Sequence, residues 1–183
     1  MVEVEVKARI QNPETVVVAF QQKGWAFSKL QEQEDLLFLP NGIEVPTTKL
    51  ETPMIRIRTT NGKHILTLKK KVSSSNKLVS MELETEINDP EAVKQMLLEL
   101  GFHEALELHK VRRESKNAGI AICVDTVAGL GSFVEVEKIT TEDPALVQEE
   151  LYTFLESVGI LRDQRVFEAY DTLLWNATHE RKN

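Results

Sequence analysis

The chain has 183 residues, 42% hydrophobic and 28% charged, which is the composition of an ordinary soluble protein of one domain spanning 1–183. A net charge of −7 excludes a general nucleic-acid or anionic-membrane binder, whose surface would be basic overall, but leaves room for a local basic pocket. Cys123 is the only cysteine, so internal disulfides and cysteine-based zinc sites are excluded; with no visible secretory signal and no apolar run of the ~18 residues a membrane span needs, the expected location is cytoplasmic.

In chain order, Glu3-Val4-Glu5-Val6-Lys7 alternates charged and apolar residues, the period of a strand. Asn12-Pro13 then opens a helix that stops at Gly24-Trp25, because Asn caps free amides, Pro at the first helical position loses none that was paired, and Gly closes the last turn. Residues Gln31 to Leu39 read as a strand, and Asn41 to Pro53, with Pro46 and Pro53, as a loop. Strands Met54 to Thr60 and Lys63 to Lys71 flank Asn61-Gly62, a strong hairpin signal. The opening unit then recurs: Glu82 to Ile87, Asp89-Pro90 and a helix ending at Gly101-Phe102. Leu106 to Ser115 pairs with Ile120 to Val127 across Asn117-Ala118-Gly119, and Ala128 to Gly131 leads into Ser132 to Ile139. The unit appears a third time with Glu135 to Ile139, Asp143-Pro144 and a stop at Gly159-Ile160. Pro13 to Gly24 and Pro90 to Gly101 are 11 residues apart and Pro144 to Gly159 is 15, which makes the third helix one turn longer. About eight mostly hairpin-connected strands and three helices define an α+β fold with an antiparallel sheet or barrel.

Strand alternation sorts the charges onto one face: acids Glu3, Glu5, Glu82, Glu84, Glu135 and Glu137, and bases Lys7, Arg56, Arg58, Lys69, Lys110 and Arg112. A solvated sheet face accounts for alternation as such. Here, however, the polar positions are almost all ionic, same-sign charges recur two residues apart, and acids and bases number six each. A barrel closed with this face inward would put its apolar face under the helices, and its interior would need water and a multiply charged ligand. A triphosphate with Mg²⁺ or Mn²⁺ meets that need, since carboxylates are hard ligands for the cation and Lys and Arg donate to phosphate oxygens. No P-loop is present, Gly129-Leu130-Gly131 is a turn with no helix after it, and the four histidines lack metal-ligand spacing. In Lys69-Lys70-Lys71 alternation turns Lys70 away, so the run is not a nucleic-acid patch.

These residues resemble the CYTH superfamily, the triphosphate tunnel metalloenzymes. The resemblance rests on Glu3-x-Glu5-x-Lys7, Gln33-Glu34-Asp35, Arg56-Ile57-Arg58, Leu66-Thr67-Leu68-Lys69, Glu82-Leu83-Glu84, His109-Lys110-Val111-Arg112-Arg113, Val124-Asp125, Gly129 to Glu137 and Ala169-Tyr170-Asp171-Thr172-Leu173-Leu174, in the family's order. It implies a closed eight-stranded antiparallel barrel with helices outside. It also implies Mg²⁺ or Mn²⁺ on Glu3, Glu5, Glu135 and Glu137, with Glu82 or Glu84 and Asp125 helping, and phosphate on Lys7, Arg56, Arg58, Lys69, Lys110 and Arg112. Catalysis would centre on Glu3, Glu5, Lys7 and Glu137. The Gly-x-Gly-x-Phe-Val-Glu-x-Glu segment and the tail look like the class IV adenylyl cyclase branch, which makes cyclic AMP and pyrophosphate from ATP. Inorganic or thiamine triphosphatase is the alternative, and a non-catalytic polyphosphate or nucleotide binder the second one. The resemblance also makes a homodimer an expectation. Two departures, Leu36-Leu37 ahead of Phe38 and Ala169 before Tyr170, bear on the nucleoside contacts.

Overall fold

The structure, a computed structural model, describes residues 1–47, 49–50, 52–72 and 78–179. Its elements are β1 (Val2–Ile10), α1 (Pro13–Gln21), β2 (Gln31–Pro40), β3 (Met54–Thr60), β4 (Lys63–Lys71), β5 (Val79–Ile87), α2 (Pro90–Glu99), β6 (Phe102–Asn117), β7 (Ile120–Val127), β8 (Gly131–Thr140), α3 (Pro144–Glu156), β9 (Arg165–Val166) and α4 (Tyr170–His179). The sheet runs β5-β4-β3-β2-β6-β7-β8-β1, all antiparallel, and β1 pairs back to β5, so eight strands close into a barrel with β9 added beside β1. Closure is brief: Glu3 faces Ser80, Val4 faces Val79, and the Glu5 amide donates to the Leu78 carbonyl.

The three expected helices form where their caps place them. The side chains of Asn12, Asp89 and Asp143 accept from amides of the first turn at 2.8–3.3 Å, and Gly24, Gly101 and Gly159 take positive φ just past the helix ends. Their lengths of 9, 10 and 13 residues follow the Pro-to-Gly spacing. The Asn61-Gly62 turn has both residues at positive φ, and Ala118-Gly119 copies it with Ala118 at φ 48°. Residues 41–53 contain a short 3₁₀ turn, Val45–Thr47, while residues 48 and 51 of that expected loop lie outside the described set.

Packing explains which face turns inward. Val4, Val6, Ala8 and Ile10 of β1, with Ile122, Val124, Val134 and Val136, pack under Val17 and Phe20 of α1 and Val147, Leu151 and Leu155 of α3, all 9% exposed or less. Leu97 of α2 packs on Phe38 and Ile57. Fully burying each such side chain contributes about 1.5–3 kcal/mol. The apolar face is therefore the outer one, and alternation sends the charged face into the barrel.

A fourth helix goes beyond the sequence reading, and it does not lie on that outer surface. Along β2, β6, β7 and β8 the inner-face positions change from charged to apolar at one end: Asp35 to Leu37 and Leu39, Lys110 to Leu108, Asp125 to Val127, Glu135 to Phe133. Tyr170, Leu173 and Leu174 of α4 pack on Leu108, Val127 and Phe133, and Trp175 packs on the Leu37, Leu39 and Met54 group. Helix α4 thus seats on the apolar end of the barrel interior.

Candidate active site in the barrel

One cavity of about 630 Å³ occupies the barrel, and all twelve residues of the charged face line it: Glu3, Glu5, Lys7, Arg56, Arg58, Lys69, Glu82, Glu84, Lys110, Arg112, Glu135 and Glu137. Pairing register brings them together. Glu5 lies opposite Glu137, Lys7 opposite Glu135, and Lys69 opposite Glu82. Asp125 is placed differently. It is fully buried, does not line the cavity, and accepts both arms of Arg112 at 2.7 and 2.6 Å, with Lys110 at 3.4 Å.

The acids divide into two electrostatic groups. Burial opposes the charge on Glu135 and on Glu82, yet both are held below the usual carboxylate range. Lys7 at 3.2 Å and Arg112 at 2.7 Å do this for Glu135, and Lys69 at 2.5 Å and Arg56 at 3.8 Å for Glu82. Glu84 takes Arg56 at 3.0 Å and the Thr67 hydroxyl at 2.8 Å. The other group is under-compensated. Burial and the charges of Glu137 and Glu82 push Glu3 up to about 8; burial and Glu135 push Glu5 up to about 7, although Lys7 stands 3.0 Å away; Glu137 is raised by burial and Glu135. Among the described residues no base comes within ion-pair distance of Glu3 or Glu137.

The bases show the complementary imbalance. Arg112 is saturated on one edge by Asp125 and Glu135, and Arg58 donates twice to Asp35, at 2.6 and 2.7 Å. Lys110 is pushed down, first by burial and then by the Arg112 charge, with Asp125 offsetting only part. It is the inner base most in need of an anion.

Two residues here went unassigned at the sequence level. Asp35 lines the cavity and orients Arg58; the Gln33-Glu34-Asp35 element marked its strand, but residues 31–35 are all polar, so no alternation singled it out. Tyr170 comes from α4, where no strand alternation marks it; its ring lies 4.2 Å from the Lys7 nitrogen and 5.3 Å from that of Lys110. Arg58, with Arg56 behind it, holds the Asp35 carboxyl well below its ordinary range against the effect of burial. Since folded Asp35 takes up a proton less readily than the unfolded chain does, acid favours unfolding. The pair's contribution is complete above the unfolded value of ~3.9 and fades as pH falls below it. Asp35→Asn is therefore expected to lower stability at pH 7 and to flatten its decline between about pH 4 and pH 2. Urea unfolding at a series of pH values checks this, and an unchanged acid slope would refute it.

The cavity suits a divalent cation in part. Glu3, Glu5 and Glu137 are hard oxygen donors whose mutual repulsion is relieved by a proton or a cation. Among the described residues no three acidic, histidine or cysteine side chains converge as a ready-made metal cage. That fits Mg²⁺ and its like, which commonly take one or two carboxylates and complete their shell with water and phosphate oxygens.

Comparison with known proteins agrees with this architecture. A protein of Methanocaldococcus jannaschii named "putative adenylate cyclase" is 31% identical over 172 residues, covering 93% of this chain and 97% of that one. A solved Pyrococcus horikoshii protein matches with TM-score 0.79 and 28% identity over 95% of this chain and 98% of its own. A Hippeastrum protein, described as a "putative adenylyl cyclase" that reveals a dominant triphosphatase activity, shares the fold at TM-score 0.63 and 20% identity, covering 97% and 95%. The model of the CYTH domain matches residues 1–170, the stretch that builds the barrel and carries its charged interior, and the chain belongs to that family.

Proposed function

We propose that this protein is a divalent-cation-dependent enzyme that takes a nucleoside triphosphate into the barrel and cyclises it, ATP giving cyclic AMP and pyrophosphate. The observation that carries the reading is the paired imbalance inside one cavity: Glu3 and Glu137 have no base at ion-pair distance among the described residues, Glu5 stays raised despite Lys7, and Lys110 lacks a full negative partner. A cation–triphosphate complex satisfies both at once. The 31% identical relative's name supports the cyclase chemistry.

In this reading Glu3, Glu5 and Glu137 would hold the cation, which would supply Lewis-acid polarisation and charge neutralisation. Glu82, Glu84 and Glu135 act mainly by holding bases, and Asp125 orients Arg112. Arg56, Arg58, Lys69, Lys110 and Arg112 grip the phosphate chain. Their fixed ion pairs mean that little reorganisation accompanies the charge building on the leaving pyrophosphate. The ribose 3′-hydroxyl attacks the α-phosphorus and gives up its proton to water as the bond to the β-phosphate oxygen breaks and pyrophosphate leaves, so positioning and electrostatics provide most of the rate. The nucleoside would lie toward the β6–β7 hairpin, where Asn117, Ala121 and Ile139 line the cavity; Ile139 is about 20 Å along β8 from the Phe133 end closed by α4.

A second reading is hydrolysis of the terminal phosphate. It is favoured by the lining itself: among the described residues its only aromatic is Tyr170, whose ring faces Lys7 and Lys110, so no free ring is available to stack on adenine. The Hippeastrum protein's described triphosphatase activity points the same way. Product analysis with ATP, thiamine triphosphate and tripolyphosphate, each with Mg²⁺ and with Mn²⁺, separates them. Cyclic AMP from ATP is the expected result. Orthophosphate without cyclic AMP would replace it with the second reading, and no turnover or binding of any of the three would reject both.

A further inference from the structure

Lys7 stands apart from the other inner bases. Its side chain is 1% exposed, and its ammonium group donates to the backbone carbonyl of Glu168 at 3.0 Å and makes ion-pair contacts with Glu5 Oε1 at 3.0 Å and Glu135 Oε1 at 3.2 Å. The Tyr170 ring covers it at 4.2 Å. Arg58 and Arg112, by contrast, each keep one guanidinium nitrogen without a protein acceptor among the described residues. Among the described residues Lys69 has a single carboxylate at ion-pair distance, Glu82, and Lys110 a single one, Asp125. Those bases can donate to an arriving phosphate without giving up a bond. Lys7 cannot.

Two of its three contacts lie on β1 and β8: Glu5, itself one of the carboxylates assigned above to the cation, and Glu135. The third lies 161 residues away in sequence, in the segment that leads into α4. That segment is otherwise tied to β1 by the two-residue β9, where Val166 pairs with Lys7 and Arg165 with Ala8. Ala169, Tyr170 and Asp171 form part of the cavity wall.

We propose that Lys7 is a positioning residue and not a phosphate ligand: it clamps the β9–α4 segment, through the Glu168 carbonyl and the Tyr170 ring, onto the wall that carries Glu5 and Glu135, and so holds the C-terminal wall of the cavity against the acid cluster. The clamp is defined by geometry alone; its consequence for turnover rests on the proposed function.

The structural half of the test uses the full chain without added cation or nucleotide, so that it does not depend on activity. Lys7→Met keeps the length of the side chain and removes the donors. Amide hydrogen exchange across residues 165–173 is expected to speed up by about tenfold or more, the scale of one lost charge-assisted hydrogen bond, with α1 and α2 unchanged. Calorimetric affinity for inorganic tripolyphosphate should stay within about twofold while kcat falls, the split expected when binding groups are intact and site geometry is not. Unchanged exchange together with a tenfold weaker tripolyphosphate affinity would overturn the proposal and make Lys7 a phosphate ligand. If Lys7→Met does not fold, Tyr170→Leu tests the same clamp from the other side: faster exchange at residues 166–169 supports it, and unchanged exchange refutes it. Where both fold, the two substitutions should be non-additive in exchange, and additivity would count against a shared clamp. Wild-type protein that binds no tripolyphosphate would defeat the proposed function and leave the exchange result on Lys7 standing.

Discussion

Glu137→Gln is expected to lower cation-dependent turnover by at least ~10²-fold while leaving the protein as stable as before, or more so. The two effects have one cause. Glu137 is raised by burial and by Glu135, has no base at ion-pair distance among the described residues, and itself raises Glu3. A carboxylate in that position destabilises the empty fold by repulsion and is retained for what it can bind. Glutamine keeps the shape, removes the charge and leaves the cation with a weaker donor. Steady-state rates with Mg²⁺ and Mn²⁺ and a thermal melt of the same preparation measure both sides. Undiminished turnover would remove Glu137 from the site, and a clear loss of thermal stability would mean that its charge is structurally compensated after all.

Asp125→Ala should have the largest effect on stability, about 3–5 kcal/mol, because it removes the carboxylate that accepts two of the buried Arg112 guanidinium's three hydrogen bonds. Asp125 is fully buried and takes two hydrogen bonds from Arg112, whose remaining partner is Glu135. Replacing only one member of a buried pair leaves the other under-compensated, here with Glu135 alone, which is why the loss exceeds the worth of the pair itself. Urea unfolding measures it. The milder Asp125→Asn then decides between the two roles available to this residue. A ligand of the cation would show weakened Mn²⁺ affinity; a holder of Arg112 would show weakened tripolyphosphate affinity with Mn²⁺ binding intact, which is the expected outcome.

Asp125 also shows where reading the sequence stopped. The resemblance made it a helper of the cation through the Val124-Asp125 element, but nothing in the order of residues says which carboxylates meet a base. That depends on register across strands, Arg112 being opposite Asp125 and Lys7 opposite Glu135. The same holds for Lys7. As the third charge of Glu3-x-Glu5-x-Lys7 it looks equivalent to Lys69 or Lys110, and only the fold brings the Glu168 carbonyl to it from 161 residues away. Tyr170 was out of reach for a further reason: α4 seats on inner-face residues, so its apolar side matches the end of a barrel and not a sheet surface that a local pattern would reveal.

The strands, the three capped helices and the inward charged face were fixed locally, because side-chain alternation, capping and turn chemistry act over two to five residues and the apolar outer face had to be covered. The twelve charges of that face do share one cavity. What tertiary structure alone decided is how they divide: Glu82 and Glu135 neutralised by bases, Glu3, Glu5 and Glu137 left seeking a positive charge, Lys110 left seeking a negative one, and Lys7 spent on the C-terminal segment. Coulomb interaction falls with distance and strengthens with burial, and both are set by how strands distant in sequence are brought side by side.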